Sequence, residues 1–445
     1  MKRVLALLAA AATASAFAAA PLRLSLAEAM QRSGVVGTDV RVTSAAENIA
    51  RSDRERAIAT LLPQVSANAY QSRQTRNMQA QGFSFPFPGF DPLIGPFNTF
   101  DARFELSQSV FNASSFLIAR GASLGLDVAA AQRADAQEQA AVRAVMGYIG
   151  AVRNQQVVAA AESDLSLAQE LLKLAQDQRG AGVASGIDVA RAETQVSQDR
   201  FNLAQARATA ATSIIELKRI IGVPQETELT LTDGLDFNPQ PLPDAAATRA
   251  AAQEHRPELA ALQAQLRQSG IEIDAEKAKR LPTLGLYGDY GYSGNTPDEN
   301  NERTYTVGLR ASMPIFSGGV VSAGVSAAHS RRDQVQARLD DAQAEVDQDV
   351  LIALAQLDSA GEQVRAAQAT HALAQREVDL ARDRFAQGVT SNVEVIEAQA
   401  ALTRARTGDV GALAAYQLAR ANLAAAQGAA RTFSLPAATA AEPQP

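Results

Sequence analysis

The chain contains two copies of one unit, and this duplication constrains the fold more than any other feature of the sequence. Upstream in each copy, Leu62-Pro63 recurs as Leu281-Pro282 and Val110-Phe111 recurs as Ile315-Phe316. Six further pairs share one offset of 206 positions: Gly182/Gly388, Ser185/Ser391, Val189/Val395, Ala192/Ala398, Leu217/Leu423 and Gly222/Gly428. A period of about 200 residues is far longer than a solenoid repeat. The sequence therefore predicts two domain-sized copies, over residues 21–240 and 241–430.

The N-terminus has the pattern of a secretory signal peptide. Lys2 and Arg3 precede an apolar run from Val4 to Ala12, and small residues follow up to Ala20. We expect residues 1–20 to be removed near Ala20. A transmembrane anchor is the alternative, which the short, Ala-rich run does not favour. After residue 20 no stretch of about 18 apolar residues occurs, so a membrane role would have to use strands.

Composition excludes several classes of site. The chain of 445 residues has no cysteine, which removes disulfides, thiolate metal sites, a cysteine nucleophile and a lipidated cysteine. A net charge of −7 argues against nucleic acid as a partner. The three histidines, His255, His329 and His371, lack metal-ligand spacing. We expect no cofactor and no enzymatic activity.

Long helices are predicted by segments rich in Ala, Leu, Gln, Glu and Arg and poor in Gly and Pro. The first begins at Ser25-Leu26-Ala27-Glu28, a capping box. At 1.5 Å per residue, a run of about 65 residues reaches on the order of 100 Å, longer than a compact globule needs. The predicted helices cover residues 25–60, 113–178, 186–221, 244–280, 319–386 and 391–428. An Ala/Pro-rich tail at 431–445 is expected to be disordered.

Between the helices lie four segments in which apolar and polar residues alternate. They are predicted as strands near 63–73, 101–111, 282–293 and 304–315. A length of about ten residues is enough for a tilted strand to cross a bilayer. The alternative is an ordinary amphipathic hairpin on a core. The long helices favour the membrane interpretation, because they leave no other element to cover each hairpin.

Four strands do not close a barrel, and open strand edges are not tolerated in lipid. The sequence therefore predicts oligomerisation. Eight strands leave an interior filled by side chains, whereas twelve strands from three chains leave room for a channel. The loop from Thr75 to Asn98, rich in Phe and Pro, is expected either to rim or plug the pore or to pack on itself at the surface.

Together these residues resemble the TolC-type family of outer-membrane efflux and secretion channels. The resemblance covers about residues 24–430. It rests on the duplicated element order, the two Leu-Pro pairs, Arg256-Pro257-Glu258-Leu259, the run Ile315-Phe316-Ser317-Gly318-Gly319, and the segment Phe385 to Glu397. The fold it implies is mainly α with a membrane β-barrel: a homotrimer with a twelve-stranded barrel in outer-membrane lipid, continued by a periplasmic α-barrel.

The resemblance also implies a function and partners. The chain would be the outer-membrane exit duct of a tripartite efflux or type I secretion system, reaching into the periplasm. It would dock, through a periplasmic adaptor, to an inner-membrane transporter of RND, ABC or MFS type. The alternative is a non-pore periplasmic coiled-coil or adaptor protein. Adaptors have one helical hairpin, whereas this sequence predicts two hairpins and four strands.

The candidate functional residues lie at the predicted hairpin turns, marked by Gly182 and Gly388. Glu394 and Glu397 are three residues apart and so share a helix face. They match positions at which the family commonly has aspartates, and in a trimer they would give six carboxylates around one constriction. Such a ring would favour cations and is a possible site for a divalent cation. The alternative is a solvated helix face.

The family's entrance lock, an arginine and a tyrosine tied to an aspartate, is altered in this sequence. Asp188 matches the aspartate, but Phe385 stands at the tyrosine position and Thr390 at the arginine position. The lock of the family therefore cannot form. We expect a different latch, in which Arg191 pairs with Glu394 or Glu397.

Overall fold

The fold is described from a computed structural model, which covers residues 22–82, 91–389 and 391–436. The predicted signal peptide lies outside these residues, as do the middle of the Phe/Pro-rich loop, Thr390 and residues 437–445. None of the described helices is apolar over a long enough stretch to cross a membrane.

The element order repeats within the chain, as the duplication predicts. The strands are β1 Leu22–Leu24, β2 Gln64–Asn77, β3 Leu93–Phe111, β4 Leu229–Leu231, β5 Thr283–Gly294 and β6 Glu302–Ser312. The α-helices are α1 Leu26–Val36, α2 Thr38–Ala59, α3 Ala113–Gly180, α4 Gly186–Ile221, α5 Ala245–His255, α6 Pro257–Ala278, α7 Val320–Ala386 and α8 Asn392–Ala426. Each copy thus has a broken helix, a strand pair, a long helix and a returning helix.

Two helices that the sequence predicts as continuous are each broken in two, and these expectations were wrong. The first predicted helix, 25–60, breaks at Gly37, whose ψ of 133° is extended. The predicted helix at 244–280 breaks at Arg256, because Pro257 disfavours helical conformation in the residue before it. The predicted capping box is present: the Glu28 amide donates to Ser25 Oγ at 3.3 Å, and the Ser25 amide donates to Glu28 Oε2 at 3.2 Å.

The long strands form one antiparallel sheet with the order β2-β3-β5-β6. The register pairs the apolar positions, with Val65 opposite Leu106 and Leu286 opposite Leu309. The β3–β5 pairing joins the two copies, so β2 and β6 are the two edge strands. A second, two-stranded sheet pairs β1 with β4 in parallel.

The first strand pair is longer than the sequence predicts. β2 continues to Asn77 and β3 begins at Leu93, and these two residues are paired. Both ends of the predicted loop 75–98 therefore belong to the sheet. The prediction failed because Gly and Pro are typical turn residues. Here Gly95 and Pro96 lie at a register shift in the β2–β3 pairing, where a strand tolerates them.

The residues divide into two compact units, which are described separately. The sheet unit comprises Val42–Asp135 and Pro257–Glu345. The hairpin unit comprises residues 22–41, Ala136–Arg256 and the described residues from Val346 to 436.

In the hairpin unit, one core is built around the fully buried Tyr148. Its hydroxyl donates to the carbonyl of Leu24 at 3.0 Å and accepts from the amides of Thr232 and Asp233 at 3.1 Å each. Burial raises the pKa of Tyr148 to about 12. The hydroxyl therefore stays protonated and fastens α3 to the chain around β1 and β4.

The prediction of a disordered tail at 431–445 was wrong for its described residues, 431–436. Ala430–Thr432 forms a 3₁₀ turn, and Phe433 is 8% exposed within the Tyr148 core. The Gly234 amide donates to the carbonyl of Pro436. Burial of an aromatic side chain holds this segment in place, and composition alone does not show that.

Candidate functional site

The helical hairpins turn in the same way in both copies. The Gly182 amide donates to the carbonyl of Arg179, and Gly388 makes the matching bond to Phe385, each at 3.0 Å. Gly182 has a φ of 77° and Gly388 a φ of 70°. Side chains with a Cβ rarely adopt this left-handed conformation. The repeated glycines are therefore required by the turns.

Asp188 caps the start of α4. Its Oδ2 accepts from the Ser185 hydroxyl at 2.6 Å and from the Ser185 amide at 3.0 Å. These hydrogen bonds lower the pKa of Asp188, with a smaller contribution from the charge of Arg191. Arg191 lies one turn along, with its Nη1 3.9 Å from Asp188 Oδ1. Within one chain, Arg191 thus faces its own helix and does not reach Glu394 or Glu397.

Glu394 and Glu397 both lie on an exposed face of α8. Glu394 Oε2 is 3.2 Å from Arg384 Nη1, whereas Glu397 forms no ion pair within the described chain. Both line a cavity of about 550 Å³ between α7 and α8, together with Arg376, Glu377 and Arg384. Since both members of the Arg384–Glu394 pair are about half exposed, water screens the pair strongly.

Phe385 does not occupy an exposed position at the turn. It is 3% exposed and packs with Val189, Ala192, Val395 and Ala398 in the core of the hairpin unit. Its side chain supports the turn by apolar burial and offers no hydrogen bond. Thr390, which the sequence places at the lost arginine position, lies outside the described residues.

Two hydrogen bonds that the sequence did not predict tie the first hairpin to the second. Gln178 Nε2 donates to the carbonyl of Phe385 at 2.7 Å, and Asn392 Nδ2 donates to the carbonyl of Asp188 at 2.9 Å. Asn392 is fully buried, and its Oδ1 has no partner in the described chain. The sequence signal for Asn392 is its polar side chain at the first turn of α8, where the other copy has Gly186.

A buried polar cluster links all four helices of the hairpins further along. Gln399 Nε2 donates to the carbonyl of Asp164 at 3.3 Å and to Asp199 Oδ2 at 3.2 Å. Arg406 Nη1 donates to Asp164 Oδ1 at 2.8 Å, and Arg406 Nη2 donates to Gln375 Oε1 at 3.0 Å. Asp199 and Asp164 are 2% and 5% exposed. Burial raises the pKa of Asp199, and the charge of Asp164 adds to this effect.

The four-stranded sheet has one apolar face and one polar face. On the apolar face Tyr305, Val307 and Leu309 are 77%, 74% and 66% exposed. On the polar face Arg103 bonds Asp101 of its own strand and Asp289 of β5, the latter at 3.0 Å. A sheet with an exposed apolar face and an internally paired polar face is suited to a lipid environment on the first side and water on the second.

A divalent cation at Glu394 and Glu397 would need further ligands, from other chains or from water. Within residues 22–82, 91–389 and 391–436 no group of three or more His, Asp or Glu side chains is placed to hold a metal ion. Two carboxylates of one chain are fewer than the six to eight oxygen ligands that Ca²⁺ takes.

Known proteins share both the sequence and the fold. Residues 37–223 and 249–429 match the family "Outer membrane efflux protein". The alkaline protease secretion protein AprF of Pseudomonas aeruginosa is 30% identical over 319 residues, 69% of this chain and 65% of AprF. The outer membrane efflux protein BepC of Brucella suis is 26% identical over 259 residues, 58% of this chain and 56% of BepC. The matched region thus spans less than two thirds of either relative.

Solved structures have the same fold at low identity. The CmeC outer membrane channel of Campylobacter jejuni superposes with a TM-score of 0.78 at 17% identity, covering 92% of this chain and 86% of CmeC. VceC of Vibrio cholerae superposes with a TM-score of 0.74 at 13% identity, covering 91% of this chain and 96% of VceC. The predicted resemblance and fold class are confirmed. The chain belongs to the outer membrane efflux protein family, which is located in the outer membrane with an extension into the periplasm and is not a class of enzymes.

Proposed function

We propose that three copies of this chain form a passive exit duct across the outer membrane. The observation that carries the proposal is the sheet, whose apolar face is exposed and whose strands β2 and β6 are open edges. Lipid does not hydrogen-bond such edges, so each edge must pair with another strand. Three chains supply twelve strands, a number that leaves an aqueous interior lined by the polar face.

Within this proposal, the long hairpins continue the duct into the periplasm. They receive substrate from an inner-membrane transporter of RND, ABC or MFS type through a periplasmic adaptor. The names of the relatives support an export role, since AprF is an alkaline protease secretion protein and BepC an outer membrane efflux protein. Family membership also favours the duct over the non-pore adaptor alternative.

At the hairpin turns we place the entrance of the duct, with Glu394 and Glu397 as its acidic ring. Arg191 then serves as the latch toward a neighbouring hairpin. Because Glu394 already pairs with Arg384, Glu397 is the better-placed partner for Arg191. The pairing joins opposite charges at a constriction, where a charge-assisted hydrogen bond holds the hairpins together.

Planar-bilayer recording of the purified chain tests the proposal. We expect discrete single-channel currents after insertion, because a twelve-stranded barrel leaves a water-filled path. A preparation that is folded by circular dichroism, inserts into lipid vesicles and still gives no current would contradict the duct.

A further inference from the structure

A cationic cavity of about 900 Å³ lies among the helices of the sheet unit. The residues that line it belong to α2, α3, α6 and α7, the four helices that adjoin the strands of the large sheet. Its charged lining consists of five cations and two carboxylates, beside His329: Arg54, Arg120, Arg267, Lys277 and Arg332 face Asp127 and Asp274. The excess of positive charge distinguishes this place in a chain whose net charge is −7.

Most of these cations are not neutralised by the protein. Lys277 is 3.8 Å from Asp274, one turn away on the same helix, and both side chains are more than half exposed. Arg54 Nε donates to the hydroxyl of Ser123 at 3.2 Å. Within the described part of the chain, Arg120, Arg267 and Arg332 form no ion pair. Their guanidinium donors are therefore available to a ligand.

The lining also indicates which side of the helices the cavity is on. Side-chain contacts give the helix order α2-α3-α6-α7, with α2 and α7 at the flanks. Arg54 bonds Ser123, Gly121 lies against Ile271, and Arg331 pairs with Glu272. Arg54 of α2 and Arg332 of α7 nevertheless line the same cavity. Side chains from both flanks converge only on the side toward which a layer of helices curves. The cavity is therefore on the concave side of this layer.

We propose that the cavity binds multivalent oxyanion groups, carboxylates or phosphates, on solutes that pass through the duct. The inference rests on the proposed function, because the concave side of the helices becomes the lumen only in a closed duct. Guanidinium groups match carboxylate and phosphate geometry with paired hydrogen bonds. A cavity wall with an excess of positive charge also raises the local concentration of anions. The cavity thus favours acidic cargo in the sheet unit, separately from the acidic residues of the hairpin unit.

Inorganic pyrophosphate is a suitable probe, used in buffer free of divalent cations. The test variant is Arg120→Gln with Arg332→Gln. The control is Arg331→Gln with Arg338→Gln, which removes the same charge from outside the lining; Arg331 pairs with Glu272. The first measurement is the pyrophosphate concentration that halves the single-channel current. The second is calorimetric titration of the detergent-purified chain with pyrophosphate.

We expect similar pyrophosphate concentrations to halve the current of wild type and control. The test variant should need a concentration that is higher by about tenfold or more. Calorimetry should show similar pyrophosphate affinities for wild type and control and a weaker affinity for the test variant. Equal block and equal binding in all three proteins would overturn the site. Binding that is lost in the test variant, without any block of wild-type current, would overturn its placement in the lumen. If no channels form, the duct itself fails, and equal binding in the three titrations would then separately remove the oxyanion site.

Discussion

Asn392 at the start of α8 donates a hydrogen bond from Nδ2 to the backbone carbonyl of Asp188 on α4, at 2.9 Å. The two residues are 204 positions apart in sequence, and the bond joins the two hairpins at the turns where we place the entrance. The donor is fully buried, so water does not compete for the bond. This contact and the parallel one from Gln178 therefore hold the two hairpins together at their turns.

Asn392→Ala should raise single-channel conductance. The change removes a buried hydrogen bond of about 1 kcal/mol, but it also removes Oδ1, which has no partner. Because these effects offset each other in stability, conductance is the better measurement. Gln363→Ala is a matched control, since Gln363 is exposed and bonds only Ser359 of its own helix. Equal conductance in the two variants would show that Asn392 does not hold the hairpins.

Arg191→Glu should also open the duct. It places like charges together at the constriction, where repulsion adds to the loss of the hydrogen bond, so conductance should increase. Glu397→Arg in the same chain should restore the low-conductance state. A defect in either helix would add to the other and would not cancel. If the double variant conducts as much as the single variant, Arg191 is not a latch and interacts only with Asp188 of its own helix.

Glu394→Gln together with Glu397→Gln should reduce cation selectivity and block by divalent ions. The physical reason is that a ring of carboxylates attracts cations and supplies oxygen ligands. Reversal potentials in a salt gradient and titration with Ca²⁺ measure the two effects. Glu362→Gln, at an exposed pair with Arg365 away from the turns, is the control. Selectivity and block that match the wild type would remove these residues from the entrance.

Asp199→Asn should stabilise the protein at neutral pH. Burial raises the pKa of Asp199, so the folded state favours its protonated form, and the charged form costs stability as the pH rises above the ordinary value of 3.8. The amide removes that cost. Because roughly 1 kcal/mol shifts the Tm of a large protein by only a few degrees, the expected gain is about 2 °C. The gain should be largest near pH 8 and should shrink toward pH 4.

Thermal unfolding of wild type and Asp199→Asn at several pH values checks this. Asp188→Asn is a control in which the effect of the charge on stability has the opposite sign, because hydrogen bonds from Ser185 lower the pKa of Asp188. Its charged form therefore adds stability above the ordinary pKa, and that stability is lost as the pH falls through the lowered pKa. A gain in Asp199→Asn that does not change with pH would indicate a packing effect instead of a charge effect.

The features that could be read from the sequence are those with a local periodic signal. Alternation predicted the four long strands, in which Val65 pairs with Leu106, and the recurring glycines marked both hairpin turns. The hydrogen bonds of Gln178 and Asn392 could not be read in this way, since each joins a side chain to a backbone carbonyl more than 200 residues away. Such contacts depend on how the helices pack.

The basic cavity was missed for a related reason. Arg54, Arg120 and Arg332 come from three different helices, so no short motif connects them. Each one alone has the appearance of an exposed helix residue. The resemblance placed Phe385 at the tyrosine position of the family's lock, and the sequence did not show that apolar packing buries this side chain. Helix-face arguments identify which residues share an element, but they do not determine what a neighbouring element contributes.

The particle mass in detergent tests the central claim most directly. Light scattering with refractive-index and absorbance detection separates the mass of protein from the mass of bound detergent. We predict three chains per particle, because the open edges of β2 and β6 require partners on both sides. A folded, monodisperse monomer would contradict the duct.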